Sequence, residues 1–409
     1  MIIGLTGSSG SGCTRIARFL EEEQNFHYFS LSEVIRKAIE SKGEEPVNQD
    51  DLRKTRKRLQ DKGDELRKGN PCYLIDHIHD GLITEKSKKV DVVIDGIKNH
   101  CEIEKLRQES PAFVLVAIDA PREIRWERCK DAYKGDQARF DEDDERDSGK
   151  DQPIYGQQVQ KCVEQGDIFL VNDKQFRYPN EWNDFFAKVV SFIDLVREPG
   201  YRLPFPSEMF MAAAYMTSLR SSCTRRQVGA IIASRDDTGI ISSGFNDVSR
   251  GRQKCRDLGG PTYCYIQYEA ERKVREWKLC PFCGLELDFT KNPESLPRKC
   301  QRCAKKLPHD FVPGKMLDLC RALHAEEDAI LQAANLGSTS LAGSTMYCTT
   351  LPCPLCAKKI VDVGILKIVY VEPYPMVETW DILEKRVETQ KYEGVSARAF
   401  YSLFKRNLF

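Results

Sequence analysis

Over residues 1–198, short apolar runs alternate with charged stretches of helical spacing. IIGLTG is an apolar run entering a glycine-rich turn, and TRIARFLEEE continues with apolar positions three and four apart. The pattern predicts strand, turn and helix in that order. VDVVIDGI followed by EIEKLR repeats the unit, and FVLVAIDA followed by a charged helix from Pro121 repeats it again. Strands alternating with helices predict an open parallel α/β sheet. Residues 134–152, KGDQARFDEDDERDSGKDQ, are almost wholly polar and read as a mobile loop or lid. The stretch from Glu198-Pro199-Gly200 to Pro204-Phe205-Pro206 breaks any helix and marks a domain boundary.

Beyond it the pattern changes. EMFMAAAYMTSLRSS predicts a helix, and QVGAIIAS with GIISSGFN predicts a hairpin around Asp236-Asp237. A cysteine-rich, charged insertion occupies about 250 to 318. A helix at HAEEDAILQAA, a strand at TMYCTT, a helix at CPLCAKKIVDVG and a strand at KIVYVEPY follow. This order predicts a three-layer α/β arrangement.

Composition adds limits rather than identity. At 409 residues the chain is long for one core, which predicts two domains. Its 62 basic and 62 acidic residues balance, so no global charge draws it to nucleic acid or membrane. No run approaches the roughly 20 apolar residues of a membrane span, and MIIGLTGSSG lacks the charged start of a signal peptide. Sixteen cysteines, several in C-x-x-C pairs, point to metal binding in a cytoplasmic setting rather than to disulfides.

The sharpest chemistry lies in His324-Ala325-Glu326 and Pro352-Cys353-Pro354-Leu355-Cys356. The pattern H-x-E … P-C-x-x-C gives three zinc ligands, His324, Cys353 and Cys356, and a carboxylate, Glu326, that is not a ligand. Zinc with three protein ligands keeps a fourth position for water, which is the equipment of a hydrolytic nucleobase deaminase. Both ligand groups open predicted helices, where the helix dipole favours thiolate. A second set, Cys280-Pro281-Phe282-Cys283 and Cys300-Gln301-Arg302-Cys303, has sixteen residues between its knuckles. That spacing predicts a closed four-cysteine zinc ribbon over about 275–310, structural rather than catalytic. Cys255, Cys264 and Cys320 flank it without an assigned role.

Near the N-terminus, Gly7-Ser8-Ser9-Gly10-Ser11-Gly12-Cys13-Thr14 follows a strand and opens a helix, as a phosphate-cradling P-loop does. Gly7, Gly10 and Gly12 would let backbone N–H groups surround a phosphate, and Thr14 would take Mg2+. Cys13 stands where such loops carry lysine, which argues for nucleotide binding (ATP, GTP or another nucleotide) over efficient phosphotransfer. Arg15 and Arg18 are the candidates to replace that charge.

These motifs carry a family resemblance. SSCTRRQVGAII, GFND, HAEEDAI and TTLPCPLC make residues 207–376 resemble the deoxycytidylate deaminase branch of the cytidine deaminases. VVIDGIKN and DAPREIRWERC make residues 1–198 resemble the nucleoside-monophosphate kinases, with Asp95 as a Mg2+ or substrate contact. The resemblance implies a P-loop parallel-sheet domain at 1–198 and a three-layer α/β/α deaminase domain at 207–390 with an inserted zinc ribbon. It implies Glu326 as proton shuttle in deamination at C4 of a cytosine ring. Asn246 would contact sugar and base, Arg225 and Arg226 the phosphate, and Tyr374 the pocket rim. The chain departs from the family pattern at Glu327-Asp328, where Met-Asn is frequent. The two halves in this order resemble the bacterial antiphage deoxycytidylate deaminases, which implies depletion of dCMP and dCTP in infection. A regulatory nucleotide, a homo-oligomer and an inhibitory partner of unspecified chemistry belong to the same implication. The rival readings are an RNA- or ssDNA-editing deaminase and a nucleotide-sensing switch with secondary catalysis.

Overall fold

The computed structural model describes residues 1–41, 52–87, 89–149, 152–174, 182–260, 263–266, 268, 280, 283–285, 300, 302–303, 320–335, 337, 340–374 and 378–406. The chain divides into two compact units, Met1–Ala212 with Lys391–Phe409, and Ala213–Gln390.

In the first unit the expected strand–helix alternation forms. Its elements are β1 (Ile2–Thr6), α1 (Cys13–Gln24), β2 (His27–Ser30), α2 (Leu31–Glu40), α3 (Leu52–Gly69), α4 (Tyr73–Ser87), β3 (Val92–Asp95) and α5 (His100–Glu109). Then come β4 (Phe113–Asp119), α6 (Arg122–Cys129), α7 (Gln137–Ser148), α8 (Val159–Glu164), β5 (Ile168–Val171), α9 (Trp182–Arg197) and α10 (Pro206–Ser218), which runs on into the second unit. The order β5-β4-β1-β3-β2 is parallel throughout. Ile3, Leu5 and Val93 face one core with α1 and α9, while Ile2, Val92 and Ile94 face another with α2, α4 and α5. Burial on both faces is what makes these strands apolar at every position. Strand β1 sits between β3 and β4, so the sheet's switch point opens at the carboxyl ends of β1 and β3.

Two features depart from the sequence pattern. Residues 134–152, expected as a loop or lid, contain the helix α7. Polar composition hid it, because charged pairs rather than an apolar stripe hold it. Asp136 caps its start, accepting from Arg139 N at 3.0 Å, and Gly149 ends it in the left-handed region. Arg139 reaches Asp143 at 2.7 Å, and Arg125 grips Asp144 through two bonds of 2.5 and 2.8 Å. The buried Asp147 binds Arg56, Lys98 and Gln60. Burial alone would raise its pKa, but the Arg56 and Lys98 cations outweigh that and hold it well below the usual range.

The second departure is at the far end of the chain. Residues Gly394–Val395 (β13) pair antiparallel with β5, and the helix α15 (Ala397–Phe404) packs into the core beside α9. Glu208, wholly buried, accepts from Arg202 at 2.7 and 2.8 Å, from Phe205 N and from Val395 N. One carboxylate therefore ties the proline-rich segment to the returning strand.

The second unit holds β6 (Gly229–Ala233), β7 (Ile240–Phe245), β8 (Asp247–Val248), α11 (Cys255–Gly259), β9 (Ala322–Leu323) and α12 (Ala325–Asn335). It continues with β10 (Thr345–Thr350), α13 (Pro354–Asp362), β11 (Lys367–Glu372), α14 (Glu378–Leu383) and β12 (Glu388–Lys391). The sheet order is β12-β11-β10-β6-β7, with the expected hairpin β6–β7 antiparallel and β10–β11 parallel. Ala230, Ile232, Met346 and Ile368 pack against Ala325, Ala329, Ala357 and Ile360 of the covering helices. Among the described residues no helix is long and apolar enough to cross a membrane.

Candidate active site

Two helix starts bring the metal donors together. His324 immediately precedes α12, and Cys353 caps α13 with Pro354 in its first turn, where a missing N–H does no harm. His324 Nδ1 lies 3.3 Å from Cys353 Sγ and 3.5 Å from Cys356 Sγ. A tetrahedral zinc ion with two thiolates and an imidazole sets such donors roughly 3.6 Å apart. The donor set therefore fits zinc in type and spacing. The hydrogen bond from Cys356 and then His324 hold the Cys353 thiol well below its ordinary value, so a thiolate forms readily in this group.

Glu326 lies in the first turn of α12 and is 4% exposed. Burial pushes its carboxyl up to about 7, against the pull of His324. A carboxyl that titrates near neutrality both accepts and returns a proton at little cost. It lies outside the three-donor group, in keeping with a carboxylate that is not a ligand.

The position of α12 depends on one glycine. A Cβ on Gly244 of β7 would stand 2.2 Å from Ala325 O and 2.3 Å from Ala329 N. Gly244→Ala is expected to force the helix outward, costing about 1–3 kcal/mol in denaturant unfolding and lowering turnover as Glu326 moves with it. The two residues that depart from the family pattern also fix this helix. Glu327 pairs with Lys359 of α13 at 2.5 Å, and Asp328 accepts from Phe245 N of β7 at 3.2 Å. Sequence reasoning missed that role, although an acidic first turn is a legible signal.

The expected substrate residues are placed less uniformly. Asn246 is buried, and its amide bonds backbone on both sides, accepting from Val228 N at 2.7 Å and donating to Arg226 O at 2.8 Å. It shapes the turn that carries Arg225 and Arg226, both exposed. Arg226 pairs with Glu372 at 2.5 Å. Tyr374 is half-buried against the core of the second unit, and burial raises its phenol, with the charges of Cys353 and Glu326 adding to the shift.

The ribbon cysteines also converge. Cys280 Sγ lies 3.7 Å from Cys303 Sγ, and Cys283 Sγ lies 3.6 Å from Cys300 Sγ. All four sulfurs lie within 4.8 Å of one another. Residues 286–299, between the knuckles, lie outside those described.

In the first unit, Gly10 and Gly12 adopt φ of 81° and 108°, which favour glycine, and Gly7 follows β1 directly. The carbonyls of Ser9, Gly10 and Ser11 accept from Arg125, Arg128 and Asn172. Thr14 donates to Asp95 at 2.7 Å, and burial raises the Asp95 carboxyl. Cys13 brings no charge, since burial and then Asp95 push its thiol up to about 12. Of the two candidate replacements, Arg15 lies over the Trp182 and Phe186 rings. Arg18 lines a cavity of ≈ 780 Å³ together with Thr14, Tyr28, Arg36 and Asp95.

Comparisons with known proteins agree with this division. Residues 206–372 match the cytidine and deoxycytidylate deaminase zinc-binding region, and residues 3–149 match an AAA domain. The deoxycytidylate deaminase of Saccharomyces cerevisiae is 23% identical over 340 residues, 80% of this chain and 90% of the yeast protein. That of Enterobacteria phage T4 is 35% identical over 161 residues, 39% of this chain and 75% of the phage protein. The crystal structure of dCMP deaminase from cyanophage S-TIM5 with dCMP and dUMP aligns at TM-score 0.29 and 24% identity. It covers 47% of this chain and all of the phage chain. On the strength of its match to the T4 protein, this chain belongs to the deoxycytidylate deaminase family, hydrolases acting on C–N bonds.

Proposed function

We propose that the chain deaminates deoxycytidine nucleotides, dCMP and dCTP, to the deoxyuridine nucleotides with release of ammonia. The observation that carries this reading is a buried carboxyl, Glu326, set beside the one His and two Cys donors on two helix starts. His324, Cys353 and Cys356 would hold the zinc ion. When bound, zinc makes water a nucleophile near neutral pH. Glu326 takes a proton from the attacking water and delivers it to ring N3, then takes the second proton from the hydroxyl left at C4 and passes it to the departing amine. Water adds at C4, the C4–N4 bond breaks, and the ring keeps a carbonyl.

Asn246 holds the turn of Arg225 and Arg226 toward a nucleotide phosphate, and Tyr374 lines the rim. The relatives' names support dCMP as substrate. Cys280, Cys283, Cys300 and Cys303 would hold a structural zinc ion. The P-loop unit, with Gly7, Gly10, Gly12, Thr14 and Asp95, would bind a regulatory nucleotide with Mg2+. The uncharged Cys13 supports regulation over phosphotransfer. A homo-oligomer acting in antiphage defence is the setting that the pairing of these two halves supports.

The test is ammonia release from purified protein across a panel of dCMP, dCTP, deoxyadenosine nucleotides and single-stranded DNA, with and without ATP or GTP. Deamination of a deoxycytidine mononucleotide is expected, at a rate that changes with added nucleotide. Activity confined to cytosine within a polymer would sink the reading.

A further inference from the structure

The first unit carries a group of metal-type donors that neither the P-loop nor the deaminase chemistry uses. His100, Cys101 and Glu104 stand at the start of α5, and a nitrogen, a sulfur and an oxygen from the three lie within 4.8 Å of one another. His100 Nε2 lies 3.5 Å from Cys101 Sγ. An imidazole and a thiolate on one tetrahedral zinc ion stand roughly 3.6 Å apart, so the pair is already at bonding separation. Residues four apart on a helix share a face, which brings Glu104 up beside His100.

The imidazole is oriented from behind. His100 Nδ1 lies 2.7 Å from Oε1 of Gln158, the buried residue before α8. An amide oxygen accepts only, so Nδ1 carries the proton and Nε2 turns its lone pair toward Cys101. Metal-binding histidines are held in this way, by a second group that fixes the tautomer. The backbone beneath is fixed as well. Asn99 Oδ1 accepts from Cys101 N at 3.0 Å, while its Nδ2 donates to Ile154 O and Gly156 O, both at 2.9 Å. The adjoining Lys105, whose ammonium would repel a cation, is occupied by Asp76 and Glu109. Cys72, between α3 and α4, brings a second sulfur to the edge of the group, its Sγ donating to Cys101 O at 3.6 Å.

We propose that His100, Cys101 and Glu104 bind a divalent transition-metal ion of the class of Zn2+ or Co2+. Mixed nitrogen, sulfur and oxygen donors suit such borderline ions and not Mg2+, which takes oxygen. The site is therefore chemically distinct from a Mg2+ position at Thr14 and Asp95. Three protein donors leave a position to water, and Glu104 is exposed, so the ion exchanges with solvent rather than being locked into the fold. Its occupancy follows the free metal concentration, which makes the first unit responsive to metal.

The probe is Co2+, titrated into the full-length zinc-loaded protein and followed by absorption. Ligand-field bands in the visible and a thiolate-to-cobalt charge-transfer band in the near ultraviolet are expected. Cys101→Ser should lose the charge-transfer band and His100→Asn both features, with circular dichroism of each variant unchanged. A wild-type protein without a cobalt spectrum overturns the site. So does a spectrum that survives both substitutions, since the ion would then sit in another cysteine group. Should the variants fail to fold, alkylation of the wild-type protein decides the matter. Added zinc is expected to protect Cys101 in peptide mapping, and an unchanged rate of its alkylation overturns the proposal equally.

Discussion

Replacing Glu326 with glutamine is expected to lower kcat by about 10²–10⁴-fold, with zinc content per chain unchanged. Glutamine keeps the size and most of the packing of this buried position, so the fold has little reason to respond. What it loses is the ability to accept a proton and return it. Zinc stays because the donor group consists of His324, Cys353 and Cys356 alone. Steady-state assay of dCMP turnover with elemental analysis on the same preparation separates the outcomes. Wild-type turnover in Glu326→Gln would remove Glu326 from the reaction. Loss of zinc together with activity would instead make it a support of the metal site.

In the first unit, Glu102→Ala is expected to cost about 3–5 kcal/mol of stability. Glu102 is fully buried and meets Arg67, 1% exposed, at 2.9 Å. Its other oxygen accepts from Lys98 N at 3.0 Å and from Asn99 N at 3.1 Å, completing the capping box at the start of α5. Alanine leaves the guanidinium buried without its partner and releases two backbone N–H groups. Denaturant unfolding followed by fluorescence measures the loss. A cost below about 1 kcal/mol, the range of exposed pairs, would show that water screens this pair.

The contrast between these two residues explains what could be read from sequence. Glu326 was legible because a reaction fixes its distance along the chain from its partners, and H-x-E with P-C-x-x-C records that distance. Glu102 and Arg67 lie 35 residues apart on different helices, a separation no reaction prescribes. The strands β1, β3 and β4 were legible because burial on both faces demands unbroken apolar runs. Helix α7 was not, because its anchors Asp144, held by Arg125, and Asp147, held by Arg56 and Lys98, pair with partners that only folding brings near. Likewise Cys280-Pro281-Phe282-Cys283 announces itself by local spacing, whereas Cys223, Cys255, Cys264 and Cys320 come to line one small space from segments far apart in the chain.

Asn246 shows a further limit. The family resemblance implied a contact to sugar and base, and in the fold its amide also bonds the backbone of the 226–228 turn. A side chain that can both donate and accept is equally suited to holding a turn and to reading a base.

The return of residues 391–409 to the first unit bears on how the protein is made. The ribosome delivers β1 through α9 first, then all of residues 213–390, and only afterwards the strand that covers the edge of β5. At about 5–20 residues per second, that interval lasts roughly ten to thirty-five seconds. Throughout it the nascent P-loop unit exposes an open sheet edge and lacks Val395, Ala399 and Leu403 from its core. A ribosome that stalls just past residue 390, or a frameshift in the codons for residues 391–406, would therefore harm the unit whose strands β1 to β5 were synthesised long before.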